Sequence, residues 1–298
     1  MRGIALAALV LGGLWGQQPT FKATVQLVTV PVVVTNTRGD QLITNGLNAS
    51  DFHVFEDGVE QQVSVFTQDR RPASICVVVD ASGSMAVSHR HQWGVAALQQ
   101  VARALTVDDE VAIVRFAAHT STQLAWTRRL DARKATWRLE PDAGLVVNSS
   151  ITDAVTYALN LIDHAANPRR VILVISDGYE NNSVTPLWRV VRTRAQSEAI
   201  VYAFNPSGPI ENAPGGGRLM NVLPQIVGDS GGVMLNIASA AEANLAAQTL
   251  LSELNFQYTL GYESERPMDG TYRRIKVDIT VPGLVARHRG GYLAQRTP

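Results

Sequence analysis

Five runs in the middle of this chain are apolar along nearly their whole length rather than at every second residue. They are SICVVVD (74–80), EVAIVRFA (110–117), RVILVISD (170–177), IVYAFNP (200–206) and GGVMLNI (231–237). A strand that is apolar on both sides must be covered on both sides, as happens in parallel sheets. The runs are separated by WGVAALQQVARAL (93–105), ITDAVTYALNLIDHA (151–165), TPLWRVVRTRAQSEA (185–199) and ASAAEANLAAQTLLSEL (238–254), whose apolar residues recur at spacings of three and four. Strand alternating with helix predicts an α/β fold over 73–254, a doubly wound and mostly parallel sheet. TQLAWT (122–127) follows a strand too closely for a helical crossover and reads as an antiparallel edge strand.

The flanks obey a different period. Residues 18–72 hold VQLVTVPVVV and then GLNASDFHVFEDGVEQQVSVF, two short strands around the hairpin signal Asp57-Gly58. Residues 255–298 hold FQYTLGYES, then RRIKVDITV, then GLVARHRGGYLA. In the second of these, Ile275, Val277, Ile279 and Val281 share one face, and Arg274, Lys276, Asp278 and Thr280 the other. One face is dry and one wet, as in an antiparallel sheet. Each flank is small for an independent domain. Both are therefore expected to complete one small antiparallel β-sandwich, with the α/β domain inserted in it or flanked by it.

Hydrophobic residues make up 46% of the 298 positions and charged residues 17%, enough for a real core. The 26 basic and 26 acidic residues cancel, so nothing favours nucleic acid or an anionic membrane as main partner. The single cysteine, Cys76, lies inside an apolar run and reads as a buried, inert thiol. At the N-terminus Arg2 precedes GIALAALVLGGLWG and polar QQPT, the pattern of a secretory signal over residues 1–17. The run is short for a membrane span. The expectation is an exported protein, periplasmic, secreted or at the cell surface, without a span after cleavage. Retention of the segment as an anchor is the alternative.

Chemistry concentrates where the apolar runs end. In open α/β sheets ligands bind outside the carboxyl ends of the strands. Asp80 ends one run, with Ser82 and Ser84 following, and Asp177 ends another. A third oxygen-rich loop, VVNSSITDA, precedes a helix. These side chains offer only carboxylates and hydroxyls, which suit a hard cation: Mg²⁺ first, with Mn²⁺ or Ca²⁺ as alternatives. An open position on such a cation accepts a carboxylate from outside.

The D-x-S-G-S string after an apolar strand, with a later strand ending SDG, resembles the metal-ion-dependent adhesion site of von Willebrand factor type A domains, over roughly 73–254. The flanks GLNASDFHVFEDGVEQQVSVF and QYTLGYES…YRRIKVDITVPG…RHRGGYLA resemble the von Willebrand A-related proteins of Acidobacteria. The resemblance implies that Ser82 and Ser84 hold a metal directly, and that Asp80 and Asp177 act through water. The family's middle loop reads Gly-Gly-Thr. Here Ser149 takes the threonine's place and both glycines are missing, with Ser150 and Thr152 as fallback ligands. The implied function is a protein-binding module whose metal captures an Asp or Glu of a partner protein. The alternative is a scaffold whose altered loop leaves the site without metal.

Other motifs have plainer readings. Arg38-Gly39-Asp40 falls between strand-like runs and reads as a turn. His89 and His91 are half of a zinc site at most and read as a solvated loop before a helix. There is no G-x-S-x-G elbow, Walker A loop, dinucleotide fingerprint or H-E-x-x-H, so the chain is not expected to be an enzyme.

Overall fold

The computed structural model describes residues 26–128, 140–141, 148–207 and 221–295. The signal reading at 1–17 lies outside the described residues. The α/β unit is a six-stranded sheet built from β5 (Ala73–Asp80), β6 (Glu110–Phe116), β7 (Thr120–Arg128), β8 (Arg169–Ile175), β9 (Ile200–Asn205) and β10 (Met234–Asn236). Its order is β10-β9-β8-β5-β6-β7. All neighbours are parallel except β6 and β7, so β7 is the antiparallel edge that its short connection requires.

Among the described residues five helices flank the sheet: α1 (Arg90–Ala104), α2 (Ile151–Ile162), α3 (Leu187–Gln196), α4 (Leu223–Val227) and α5 (Ala240–Phe256). Side chains alternate along the strands, so the sheet has two separate cores. Ile75, Val77 and Val79 pack with α1 and α5 on one face. Cys76 and Val78 pack with α2, α3 and α4 on the other. Every residue of β5 is buried, the outcome expected of a central parallel strand. Cys76 is fully buried, and burial pushes its thiol up to about 12, as an inert core residue requires. Helix α1 starts three residues earlier than its apolar period suggests, which places His91 in the helix rather than in the preceding loop.

The flanking strands are β1 (Gln26–Asn36), β2 (Phe52–Glu56), β3 (Val59–Gln61), β4 (Val63–Thr67), β11 (Tyr258–Ser264), β12 (Tyr272–Ile279), β13 (Leu284–His288) and β14 (Gly291–Leu293). They form two antiparallel sheets, β13-β1-β11-β4 and β14-β12-β2-β3. Each sheet mixes strands from before and after the α/β unit. Between the sheets lie Val30, Val32, Phe52, Val54, Tyr258, Leu260, Ile275 and Val277. The turn between β2 and β3 has positive φ at both central residues, 47° at Asp57 and 85° at Gly58, the conformation that a two-residue hairpin with strand-matched twist demands. The run GLVARHRGGYLA, continuous in its sequence pattern, forms two strands rather than one. It breaks after His288, so that β13 joins one sheet and β14 the other, as strands do at the corners of a sandwich.

Helix α5 runs into β11 and links the two parts. Its buried Glu253 accepts from the Tyr202 hydroxyl of β9 at 2.7 Å and pairs with Arg287 of β13. Arg38-Gly39-Asp40 forms an exposed turn in which Asn36 donates to the Asp40 carboxylate at 2.6 Å.

His288 ties the two sheets of the sandwich. Its Nε2 accepts the Val277 N–H at 3.0 Å and its Nδ1 donates to the Arg289 carbonyl at 2.7 Å, so the ring is held neutral. Burial lowers its pKa from 6.5, against an opposing pull from the Arg289 carbonyl. Below about pH 6.5 the unfolded chain then takes up a proton that the folded chain resists. The denaturation midpoint of wild type relative to that of His288→Gln should therefore fall between pH 7 and pH 5.5, which denaturant titrations of both proteins at the two pH values will read.

Candidate metal centre

The parallel pairing of β5 with β8 puts Val79 beside Ile175, so the two chains leave the sheet together with Asp80 next to Ser176. The site grows from this register. Asp80 is fully buried. Its Oδ1 accepts the Ser82 N–H at 2.8 Å, which folds the chain sharply back into a 3-10 turn over Gly83–Ala86. Its Oδ2 accepts the Ser176 hydroxyl at 2.6 Å and the Ser149 hydroxyl at 3.4 Å. The turn brings the Ser82 and Ser84 hydroxyl oxygens to 3.1 Å from each other.

Asp177 is also fully buried. The turn behind it depends on Gly178, whose φ is +83° and where a Cβ would stand 2.3 Å from the Asn221 side chain. Asn221 in turn donates to the Asp177 carbonyl at 2.9 Å. The Asp177 carboxylate accepts from the Arg90 guanidinium at 3.0 Å, and the same nitrogen donates to the Ser84 carbonyl at 3.2 Å. Two acids and one arginine thus share a nearly closed space. Burial first, and then the charge of Asp177, push the Asp80 carboxyl up to about 6, against the hydrogen bonds from Ser176 and Ser82.

The middle loop offers three hydroxyls, and the structure separates them. Ser150 donates to the Ala118 carbonyl at 3.1 Å, and Thr152 to the Thr185 carbonyl at 2.5 Å. Only the Ser149 hydroxyl reaches Asp80. Without the glycines, Ser149 is held by Asn181, whose side-chain oxygen accepts the Ser149 N–H at 2.7 Å and whose own N–H donates to the Ser149 carbonyl at 3.2 Å. The structure therefore brings Asp80, Ser82, Ser84, Ser149 and Asp177 to one end of the sheet, and turns Ser150 and Thr152 away from it.

Residues 75–180 match the family model described as the von Willebrand factor type A domain. This segment is similar to the von Willebrand factor type A domain. The match begins on β5 and ends just beyond Gly178, so both strand ends of the site fall within it. Solved structures share the fold. A von Willebrand factor type A protein from Catenulispora acidiphila aligns at a TM-score of 0.52 and 14% identity, over 82% of this chain and 73% of that one. Proximal thread matrix protein 1 of the mussel byssus, in a form with a zinc-occupied MIDAS motif, aligns at 0.53 and 17%, over 68% of this chain and 50% of that one. The pilus adhesin SpaC of Lactobacillus rhamnosus GG aligns at 0.50 and 8%, over 81% and 47%. This chain spans about half the length of the last two proteins.

The donor set of the site fits a hard divalent cation. Adjacent oxygens on a magnesium octahedron stand about 3.0 Å apart, given Mg–O bonds of about 2.1 Å. The two serine hydroxyls have that spacing at 3.1 Å. Among the described residues there is no cluster of three or more His, Cys, Asp or Glu, so any metal here relies on hydroxyls. His89 bonds to Gln92 and His91 faces Glu140, so neither joins the site. Three contributors were not singled out from the sequence. Ser176 precedes Asp177 in ISDG, and strand register alone would have found it. Asn181 and Arg90 carry no local signal.

Proposed function

We propose that the chain is a non-catalytic protein-binding module of adhesion type. In this reading Asp80, Ser82, Ser84, Ser149 and Asp177 hold Mg²⁺, with Mn²⁺ or Ca²⁺ as substitutes. A partner protein completes the shell with an Asp or Glu carboxylate. The bound cation supplies a directional, charge-assisted contact in a partly dry interface. Ser82 and Ser84 act as direct ligands, Asp80 orients both through the tight turn, and Asp177 balances charge. The observation that carries the reading is the pair of hydroxyls 3.1 Å apart, backed by the buried Asp80. Residues 73–254 form the binding domain, and 18–72 with 255–298 form a rigid support. Residues 1–17 direct export. Among the described residues no helix is long and apolar enough to cross a membrane.

A scaffold that binds no metal is the second reading, and one observation favours it. Arg90 already supplies a positive charge to Asp177. Calorimetry separates the readings: Mg²⁺ or Mn²⁺ should release or absorb heat with wild type and not with Asp80→Ala. A partner captured from an envelope fraction should elute with EDTA and fail to bind Asp80→Ala. Binding that survives both treatments overturns the metal reading.

A further inference from the structure

Arg90 is the first residue of α1, where the helix dipole disfavours a cation and no acid of the first turn offsets it. Local propensity does not explain an arginine there; its contacts do. Nη1 spans from the Ser84 carbonyl, on the loop that carries two of the hydroxyls, to the fully buried Asp177 carboxylate. The side chain itself remains 19% exposed, so a path to solvent lies open to it. Asp177 has no other cation within 4 Å among the described residues.

A buried carboxylate with one cationic partner is destabilised when that partner leaves, unless another cation arrives. A guanidinium and a divalent cation beside the same carboxylate, Asp177, repel each other in a medium of low polarity. We propose that Arg90 is a tethered counter-ion that competes with the metal. It neutralises Asp177 and braces the Ser84 loop when no metal is present, and it must swing toward solvent when metal binds. This rests on the metal reading above and adds its regulation. The affinity for metal is set partly by an arginine that the D-x-S-x-S motif does not contain, and the same exchange presents a freed guanidinium at the rim where a partner's carboxylate arrives.

The test is calorimetric titration of MgCl₂ and MnCl₂ into the full chain, as wild type, Arg90→Gln and Arg90→Lys. Arg90→Gln should bind at least about tenfold more tightly, about 1.4 kcal/mol, and melt lower than wild type when metal-free. Arg90→Lys, which keeps the charge, should bind as wild type does. Equal or weaker metal binding by a folded Arg90→Gln overturns the proposal and leaves the metal reading standing. No binding by any of the three proteins overturns both. A second measurement needs no variant to fold well. In wild type carrying ¹⁵N-arginine, the Arg90 side-chain N–H resonance should move to a solvent-exposed position on Mg²⁺ saturation. A resonance that stays in place while metal binds overturns the exchange.

Discussion

Glu56→Ala should destabilise the protein by about 3–5 kcal/mol, the cost of removing one member of a buried charged network. Glu56 ends β2 and is fully buried. Its carboxylate accepts the Tyr262 hydroxyl at 2.8 Å, the Tyr292 hydroxyl at 3.1 Å and the Ser264 hydroxyl at 3.0 Å. Tyr262 and Ser264 belong to one sheet of the sandwich, Glu56 and Tyr292 to the other, so the carboxylate clasps the two together. Arg273, also buried, places Nη1 at 3.8 Å from it. Burial and the bond to Glu56 hold the Tyr262 hydroxyl in its neutral, donating form. Alanine would strand three hydroxyls and a guanidinium nitrogen away from water. Glu56→Gln keeps the shape and one acceptor, so its loss should be about half as large. Chemical denaturation of the two variants decides this. A loss below about 1 kcal/mol in Glu56→Ala would mean that water replaces the carboxylate freely.

The second large effect has the opposite sign. In EDTA at pH 7.5, Asp80→Asn should be more stable than wild type. An unfolded aspartate titrates near 3.8 and Asp80 in the fold near about 6, so between these values the folded chain holds the extra proton. Stability from this group is therefore full at low pH and is lost as pH rises through about 6. At about 1.4 kcal/mol per pH unit, the gap from 3.8 to about 6 amounts to about 3 kcal/mol at neutral pH. Asparagine escapes this cost. Its oxygen can still accept the Ser82 N–H, and the Ser176 hydroxyl can accept from its amide. Asp109 and Asp153, whose pKa values are lowered despite burial, respond to pH in the reverse sense, so the informative quantity is the difference between variant and wild type. That difference should widen from pH 4.5 to 7.5, and the variant should show no thermal shift with Mg²⁺. A difference that is flat with pH would mean that Arg90 already offsets the cost at Asp80. The stability gained by removing a carboxylate is what a site built for a ligand, rather than for the fold, is expected to yield.

Much of the site could be read in one dimension because strand ends are local features. A run such as ICVVVD stops being apolar where it leaves the sheet, and a parallel sheet gathers all such ends on one rim. The strand pattern alone therefore puts Asp80, Ser82, Ser84 and Asp177 on one rim. The middle loop resisted this reading, because three neighbouring hydroxyls in NSSIT are equivalent in sequence. They differ only in which carbonyl or carboxylate stands opposite each, and Ala118 and Thr185 come from distant parts of the chain. Arg90 resisted it for the same reason. Nothing in SHRHQW marks one arginine, and its partner is 87 residues away.

The layered architecture follows from the residue pattern. Fully apolar runs alternating with helical periods require a sheet covered on both faces, and strict alternation in RRIKVDITV requires a sheet with one wet face. Which polar groups are buried, and how they are paired, depends on how the sheets and helices pack. Glu56 and Arg273 look like ordinary polar strand residues until the two sheets close over them. Asp80 holds its proton up to about pH 6 only because the surrounding core excludes water and the charge of Asp177 opposes its ionisation. Patterns of side-chain polarity are short-range and survive in the sequence, whereas desolvation and charge pairing depend on which distant segments meet.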